Sequence, residues 1–88
     1  MTTFTVYSKP ACGYCDMAKA LLTQKGLPYR EIVLDVGQPK AEGASYISRD
    51  ELIAKIPTAR TMPQILKESD STAVYIGGYQ ELKAHLHA

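Results

Sequence analysis

Two cysteines, Cys12 and Cys15, stand three positions apart in the stretch SKPACGYCDMAKALL, Ser8 to Leu22. A pair at this spacing serves as half of a metal clamp, as a structural disulfide or as a redox centre. A four-ligand zinc site needs two further ligands. The histidines, His85 and His87, stand two apart near the end of the sequence, where a helix would turn their side chains away from each other. An inert pair of core thiols requires both to be buried, although Cys12 follows a Pro10-Ala11 turn. In a reducing compartment a purely structural disulfide is disfavoured, and close pairs are catalytic, redox-sensing or metal-binding. The pair alone favours a redox centre and leaves the other readings open.

The elements around the pair strengthen that preference. Phe4 to Tyr7 is aromatic and β-branched, predicts a first strand, and ends at Ser8-Lys9-Pro10. From Tyr14 a helix is expected, with Cys15, Ala18, Leu21 and Leu22 on its apolar face and Gly26 and Pro28 as its stop. A cysteine at such a strand-to-helix turn faces the free N–H groups of the first helical turn, which favour thiolate. C-x-x-C thiols at helix starts have pKa values lowered from about 8.5 to roughly 3.5–7.5. Lys9 adds a further positive charge to this turn. Cys12, ahead of the helix, is expected to be exposed and nucleophilic; Cys15, on the apolar stripe, is the expected resolving thiol.

Further along, YREIVLDV (Tyr29 to Val36) reads as a second, buried strand. Gly37 to Ser45 reads as a long surface loop. Ser48 and Glu51 form a capping-box pattern, and Ile47 and Leu52 occupy the positions of a hydrophobic staple, so a helix is expected from Arg49 until Pro57 stops it. QILKE and AVYI, separated by Ser69 to Thr72, predict a hairpin, and after Gly77-Gly78 the residues Tyr79, Leu82 and Leu86 predict a last helix. The order is β-α-β-α-β-β-α, without internal repeats, and residues 1–88 read as one domain.

Composition narrows the partners. With 45% apolar and 22% charged residues the chain can build one core, and a net charge of +1 without a charge block speaks against nucleic acid. No apolar run approaches the roughly 18 residues that span a membrane, and Met1-Thr2-Thr3-Phe4 lacks the start of a signal peptide, so a cytoplasmic location is expected.

Three separated segments, KPACGYC (Lys9 to Cys15), ARTMPQIL (Ala59 to Leu66) and GGYQEL (Gly77 to Leu82), resemble those of a dithiol glutaredoxin. With its long loop after the second strand and its Thr-Met-Pro triplet, the chain looks most like the small glutaredoxins of T4-type bacteriophages. The resemblance implies an α/β, thioredoxin-like fold with a four-stranded mixed sheet flanked by three helices. It further implies a cis Met62-Pro63 bond facing Cys12, whose turn leaves the Met62 backbone free to pair with an extended substrate. The implied co-substrate is glutathione, with no tightly bound cofactor and no metal. Lys9 would meet its glycine carboxylate, and the second helix would supply a further polar contact, for which Arg49 and Asp50 are candidates and Arg suits a carboxylate better. Tyr14 would flank the cysteinyl part, and Thr61, Met62 and Pro63 would hold its backbone. Gly78, Tyr79 and Gln80 would receive the γ-glutamyl end at the start of the last helix. The implied protein partner is ribonucleotide reductase, and the implied state a monomer, in host cytoplasm if phage-encoded.

The chain departs from the family pattern at two places. Gly13 stands where proline is most familiar between the thiols. Gln80 stands where aspartate often follows Gly-Gly-x, with Glu81 beside it. Gly13 keeps open a rival reading, a [2Fe–2S] carrier in which two chains and two glutathiones hold a cluster through Cys12; Tyr14 and Cys15 argue against it. A thioredoxin-like reductant is the other rival, disfavoured by the short chain and by the lack of tryptophan before the cysteines.

Overall fold

The structure, a computed structural model, describes residues 2–87. The elements run β1 (Thr2–Ser8), α1 (Gly13–Gln24), β2 (Tyr29–Leu34), β3 (Ser45–Ile47), α2 (Arg49–Lys55), β4 (Gln64–Ser69), β5 (Thr72–Gly77) and α3 (Tyr79–His87). The described residues form one mixed sheet of five strands in the order β3-β2-β1-β4-β5. β1 is parallel to β2 and antiparallel to β4. The fold is thioredoxin-like as expected, but the four-strand expectation is corrected by β3. Three residues after a glycine-containing loop are too few to show a period, and Ser45 to Ile47 become a strand by pairing in parallel with Ile32 to Leu34.

Two apolar clusters lie on opposite faces of the sheet. Phe4, Val6 and Ile65 meet Ala18 and Leu22 of α1 and Leu82 of α3 on one face. Tyr7 meets Ile47, Leu52, Ile56 and Ala59 around α2 on the other. Alternation along β1 sends successive side chains to opposite faces, so both faces are covered. α2 starts at Arg49 as predicted. The Ser48 side chain accepts from the Glu51 N–H at 3.1 Å, and the Glu51 carboxylate accepts from the Ser48 N–H at 3.3 Å.

β2 is not buried: Arg30 is exposed and its other five residues are half-buried, and it ends at Leu34, not at Val36. Its outer neighbour β3 has three residues and α2 has seven, too little to cover six strand positions. Past Leu34, side chains replace the ladder: Gln38 accepts from the Val36 N–H and donates to the Leu34 carbonyl, and Asp35 accepts from the Gly37 N–H. The following loop is pinned to β3, with the Ala41 N–H donating to the Tyr46 hydroxyl at 2.7 Å and Lys40 lying 5.4 Å from the centre of the Tyr46 ring.

Towards the site, the β4–β5 register slips by one residue. Leu66 faces Tyr75, but Ile65 faces Gly77, leaving Ile76 without a partner on β4. Such bulges bend a strand and re-aim its side chains. Here the bend leads into Gly77-Gly78 and places Gly78 beside Pro63, whose carbonyl oxygen lies 3.5 Å from the position of a Gly78 Cβ.

Candidate active site

Cys12 is the N-cap of α1: its backbone is extended, and its Sγ accepts the Cys15 N–H at 3.2 Å. The sulfur thus occupies the position where a helix start stabilises negative charge. Cys12 and Cys15 are joined in a disulfide with their Cα atoms 5.2 Å apart, so this is the oxidised form. Ala11, just before Cys12, has φ 55°, a left-handed conformation that costs a residue with a Cβ about 1–2 kcal/mol.

The expected exposure of Cys12 is corrected. Cys12 is 8% exposed and Cys15 1%, so both are buried, although Cys12 remains the outer sulfur. Burial arises from a residue fifty positions away: the Met62 carbonyl oxygen lies 3.8 Å from Cys12 Sγ. The Met62-Pro63 bond is cis.

Two clefts meet at this turn. One, about 300 Å³, is lined by Tyr14, Thr61, Met62, Pro63, Gly78, Tyr79 and Gln80, with Glu81. The Tyr14 and Tyr79 rings have their centres 6.1 Å apart and close one side. The other, about 90 Å³, places Lys9, Arg49 and Arg60 around a floor that includes Leu52, Ile53 and Met62. Thr61 and Met62 line both. The residues that the resemblance implied for the thiol pair and for glutathione, Asp50 excepted, therefore lie at Cys12 or in one of these clefts, with Lys9 and Arg49 apart from Gly78, Tyr79 and Gln80. The Thr61 carbonyl accepts from Gln64 Nε2 at 2.7 Å.

Two charged residues of the clefts were not among the expected binding residues, although the sequence already marks Glu81 beside Gln80. Arg60 adds a third cation, and its only sequence signal is its place two residues before Met62. Glu81 takes the Gly78 N–H at 2.7 Å with Oε1, closing half of a capping box at α3, whose N-cap glycine has no side chain to close the other half. The third position of a helix after a glycine N-cap was the signal available for it. Its charge stands one residue from the neutral Gln80.

Beneath α1, the Ser8 hydroxyl donates to Glu31 Oε2 at 2.5 Å, and Lys19 Nζ lies 2.8 Å from the same oxygen. Burial pushes the Glu31 carboxyl up, but the hydrogen bonds from Lys19 and Ser8 outweigh it and hold the group below its usual range. The hydrogen bond to Glu31 raises Lys19 in turn. This ties α1, four residues past Cys15, to the strands under the site.

The glutaredoxin family profile matches residues 4–70. The chain belongs to the glutaredoxin family. Among relatives of this glutaredoxin, glutaredoxin 3 of Escherichia coli (strain K12) is 36% identical over 84 residues, spanning 96% of this chain and 86% of that protein. Glutaredoxin 1 of Rickettsia felis is 29% identical over 80 residues, covering 91% and 68%. In fold, the chain is similar to the crystal structure of glutaredoxin 1 from Francisella tularensis complexed with cacodylate, with a TM-score of 0.66 at 22% identity over 99% of this chain and 94% of that one. Family membership together with the Cys12–Cys15 pair makes the protein a thiol-disulfide oxidoreductase. Among the described residues no helix is long and apolar enough to cross a membrane.

Proposed function

We propose that this glutaredoxin is a glutathione-dependent reductase of protein disulfides and glutathione mixed disulfides, acting through Cys12 with Cys15 as resolving thiol. The observation that carries the reading is Cys12 Sγ at the N-cap of α1, 3.8 Å from the carbonyl of Met62, a residue that lines both a cationic cleft and a helix-start cleft. Glutathione has a carboxylate at one end and an ammonium and a carboxylate at the other. Lys9, Arg49 and Arg60 supply cations for the glycine carboxylate. The Tyr79 and Gln80 N–H groups face the γ-glutamyl carboxylate, and Glu81, which stands in for the missing aspartate, pairs with the ammonium. Between them, Tyr14 flanks the cysteinyl part, and the Met62 backbone pairs with that of the substrate beside Pro63 and Gly78.

In the reductive half, Cys12 thiolate attacks one sulfur of the substrate disulfide and the other leaves as thiolate. Cys15, deprotonated, then attacks Cys12 Sγ; the second substrate sulfur leaves, and the Cys12–Cys15 disulfide holds the oxidation. One glutathione thiolate opens that bond at Cys12 and releases Cys15. A second attacks the glutathione sulfur, releasing glutathione disulfide and restoring Cys12 thiolate. Two electrons pass from two glutathiones to one substrate disulfide.

Ribonucleotide reductase is the protein substrate proposed, by the same resemblance that likens the chain to the small glutaredoxins of T4-type phages. The unit proposed is a monomer formed by residues 1–88, acting in the cytoplasm. A glutathione-coupled reduction assay tests the reading. Wild type is active, Cys12→Ser inactive, and Cys15→Ser retains turnover of glutathione mixed disulfides only. Activity in Cys12→Ser overturns the assignment, and turnover with thioredoxin reductase but none with glutathione favours the thioredoxin-like rival.

A further inference from the structure

Met62 is the backbone that the proposed function offers to substrate, and what holds it in place comes from an element that lines neither cleft. Gln64, directly after Pro63, is 4% exposed and spans the cis turn, its Nε2 donating to the Thr61 carbonyl at 2.7 Å. The Tyr75 hydroxyl donates to Gln64 Oε1 at 2.5 Å. The orientation of this amide follows from its partners. A backbone carbonyl only accepts, so the NH₂ must face Thr61 and the oxygen must face Tyr75. Tyr75 lies on β5, the edge strand, and the bulge at Ile76 sets it across from Leu66, on the same side of the sheet as Gln64. Tyr75 itself is 48% exposed, and core packing gives no reason for an aromatic there.

We infer that Tyr75 and Gln64 are positioning residues for the substrate-binding turn. The Tyr75 hydroxyl locks the Gln64 amide, the amide locks the Thr61 carbonyl, and the Met62 N–H and C=O are thereby held beside Cys12. With Thr61 O held by the amide, the turn presents the Met62 backbone to an extended substrate. The lock acts on both sides of the cis bond, at Thr61 before it and Gln64 after it, and so restricts the turn without touching substrate. A loosened turn must be ordered at each binding event, and that cost appears in substrate affinity while the chemistry of Cys12 is unaffected. The role rests on the reading of Met62 as the substrate's backbone partner.

Tyr75→Phe removes only the hydroxyl, from an exposed ring, and Gln64→Met removes the amide at similar volume. In steady-state reduction of a glutathione mixed-disulfide peptide, Tyr75→Phe is expected to raise KM about three- to tenfold, the span for one lost hydrogen bond, with kcat unchanged. The double variant is expected to be no worse than Gln64→Met alone, because the hydroxyl acts through the amide. Hydrogen exchange in the oxidised protein gives a second readout that needs no substrate: exchange of the Gln64 side-chain NH₂, which donates to the Thr61 carbonyl, quickens in Tyr75→Phe while the α1 amides are unchanged. Wild-type KM together with wild-type Gln64 NH₂ exchange in Tyr75→Phe overturns the inference, as do additive effects in the double variant or equal losses in kcat and kcat/KM. If the wild type itself fails to turn over the peptide, the proposed function falls, and the exchange measurement still decides the positioning role. If Gln64→Met fails to fold, Tyr75→Phe decides alone.

Discussion

Gly77 and Gly78 are adjacent and look interchangeable in sequence, yet alanine at the two positions should have very different effects. Gly77 has φ +122°, and a Cβ there would lie 2.8 Å from Cγ and 2.9 Å from Cβ of Glu81. The backbone conformation costs a non-glycine residue about 1–3 kcal/mol. The clash cannot be relieved by the carboxylate tip alone, because the atoms struck lie at the root of the Glu81 side chain. Moving them breaks the Glu81 bond to the Gly78 N–H, worth about 1 kcal/mol more. Gly77→Ala should therefore lose about 3 kcal/mol, and at 4–8 °C per kcal/mol for a chain of this size that is a fall in Tm of roughly 12–24 °C. At Gly78 the φ is ordinary, and the nearest atom to a Cβ is Glu81 Oε1 at 3.3 Å, the end of a flexible chain. Gly78→Ala should lose roughly 1 kcal/mol or less. Urea denaturation of both variants measures the difference, with Tm by calorimetry as a check. Equal losses at the two positions, or a larger loss at Gly78, would refute the account of how Glu81 caps α3.

Three other perturbations follow from the geometry. Glu31 is held below its usual pKa, so the stability it contributes is present above the ordinary glutamate value and is lost as pH falls through its folded value. Glu31→Gln should thus cost about 1 kcal/mol at pH 7 and nothing well below pH 4, with urea midpoints at the two pH values as the check; an equal cost at both contradicts the sign. Gly13 is the first residue of α1, a Cβ there meets nothing within 4 Å, and Cys12 before it is extended. Gly13→Pro should therefore fold and gain about 0.4–1 kcal/mol, read as a higher Tm; a lower Tm would show that the turn needs glycine. Arg60→Ala should raise KM for glutathione by roughly fivefold at low salt and by less at high salt, and an effect independent of salt would separate Arg60 from carboxylate binding.

What the sequence made legible was local in origin. The capping box at Ser48 and Glu51 and the staple at Ile47 and Leu52 place the start of α2 to the residue, because both signals lie within five positions of the helix they begin. The thiol pair announced its chemistry in the same way, through the strand before it and the amphipathic helix after it. What escaped depends on contacts between distant residues. β3 is a strand because β2 pairs with it, and Cys12 is buried because the Met62 carbonyl covers it. The half-burial of β2 follows from how short its neighbours are, not from its own residues. Arg60 joins Lys9 and Arg49 only when the chain between them is folded, and Tyr75 reaches Gln64 across a bulge that no local pattern marks. The cis bond at Met62-Pro63 was anticipated by resemblance, since proline after methionine does not by itself specify the isomer.

The central claim is that Cys12, seated at the N-cap of α1 beside the Met62 carbonyl, is the sulfur that exchanges with glutathione. The most direct measurement is mass spectrometry with peptide mapping of Cys15→Ser and Cys12→Ser after incubation with glutathione disulfide. The account predicts one glutathione per chain on Cys12 of Cys15→Ser, released by added glutathione, and little or none on Cys15 of Cys12→Ser, where the remaining sulfur is 1% exposed in the folded protein. Faster labelling of Cys15 than of Cys12, or no stable adduct on Cys12, would contradict it.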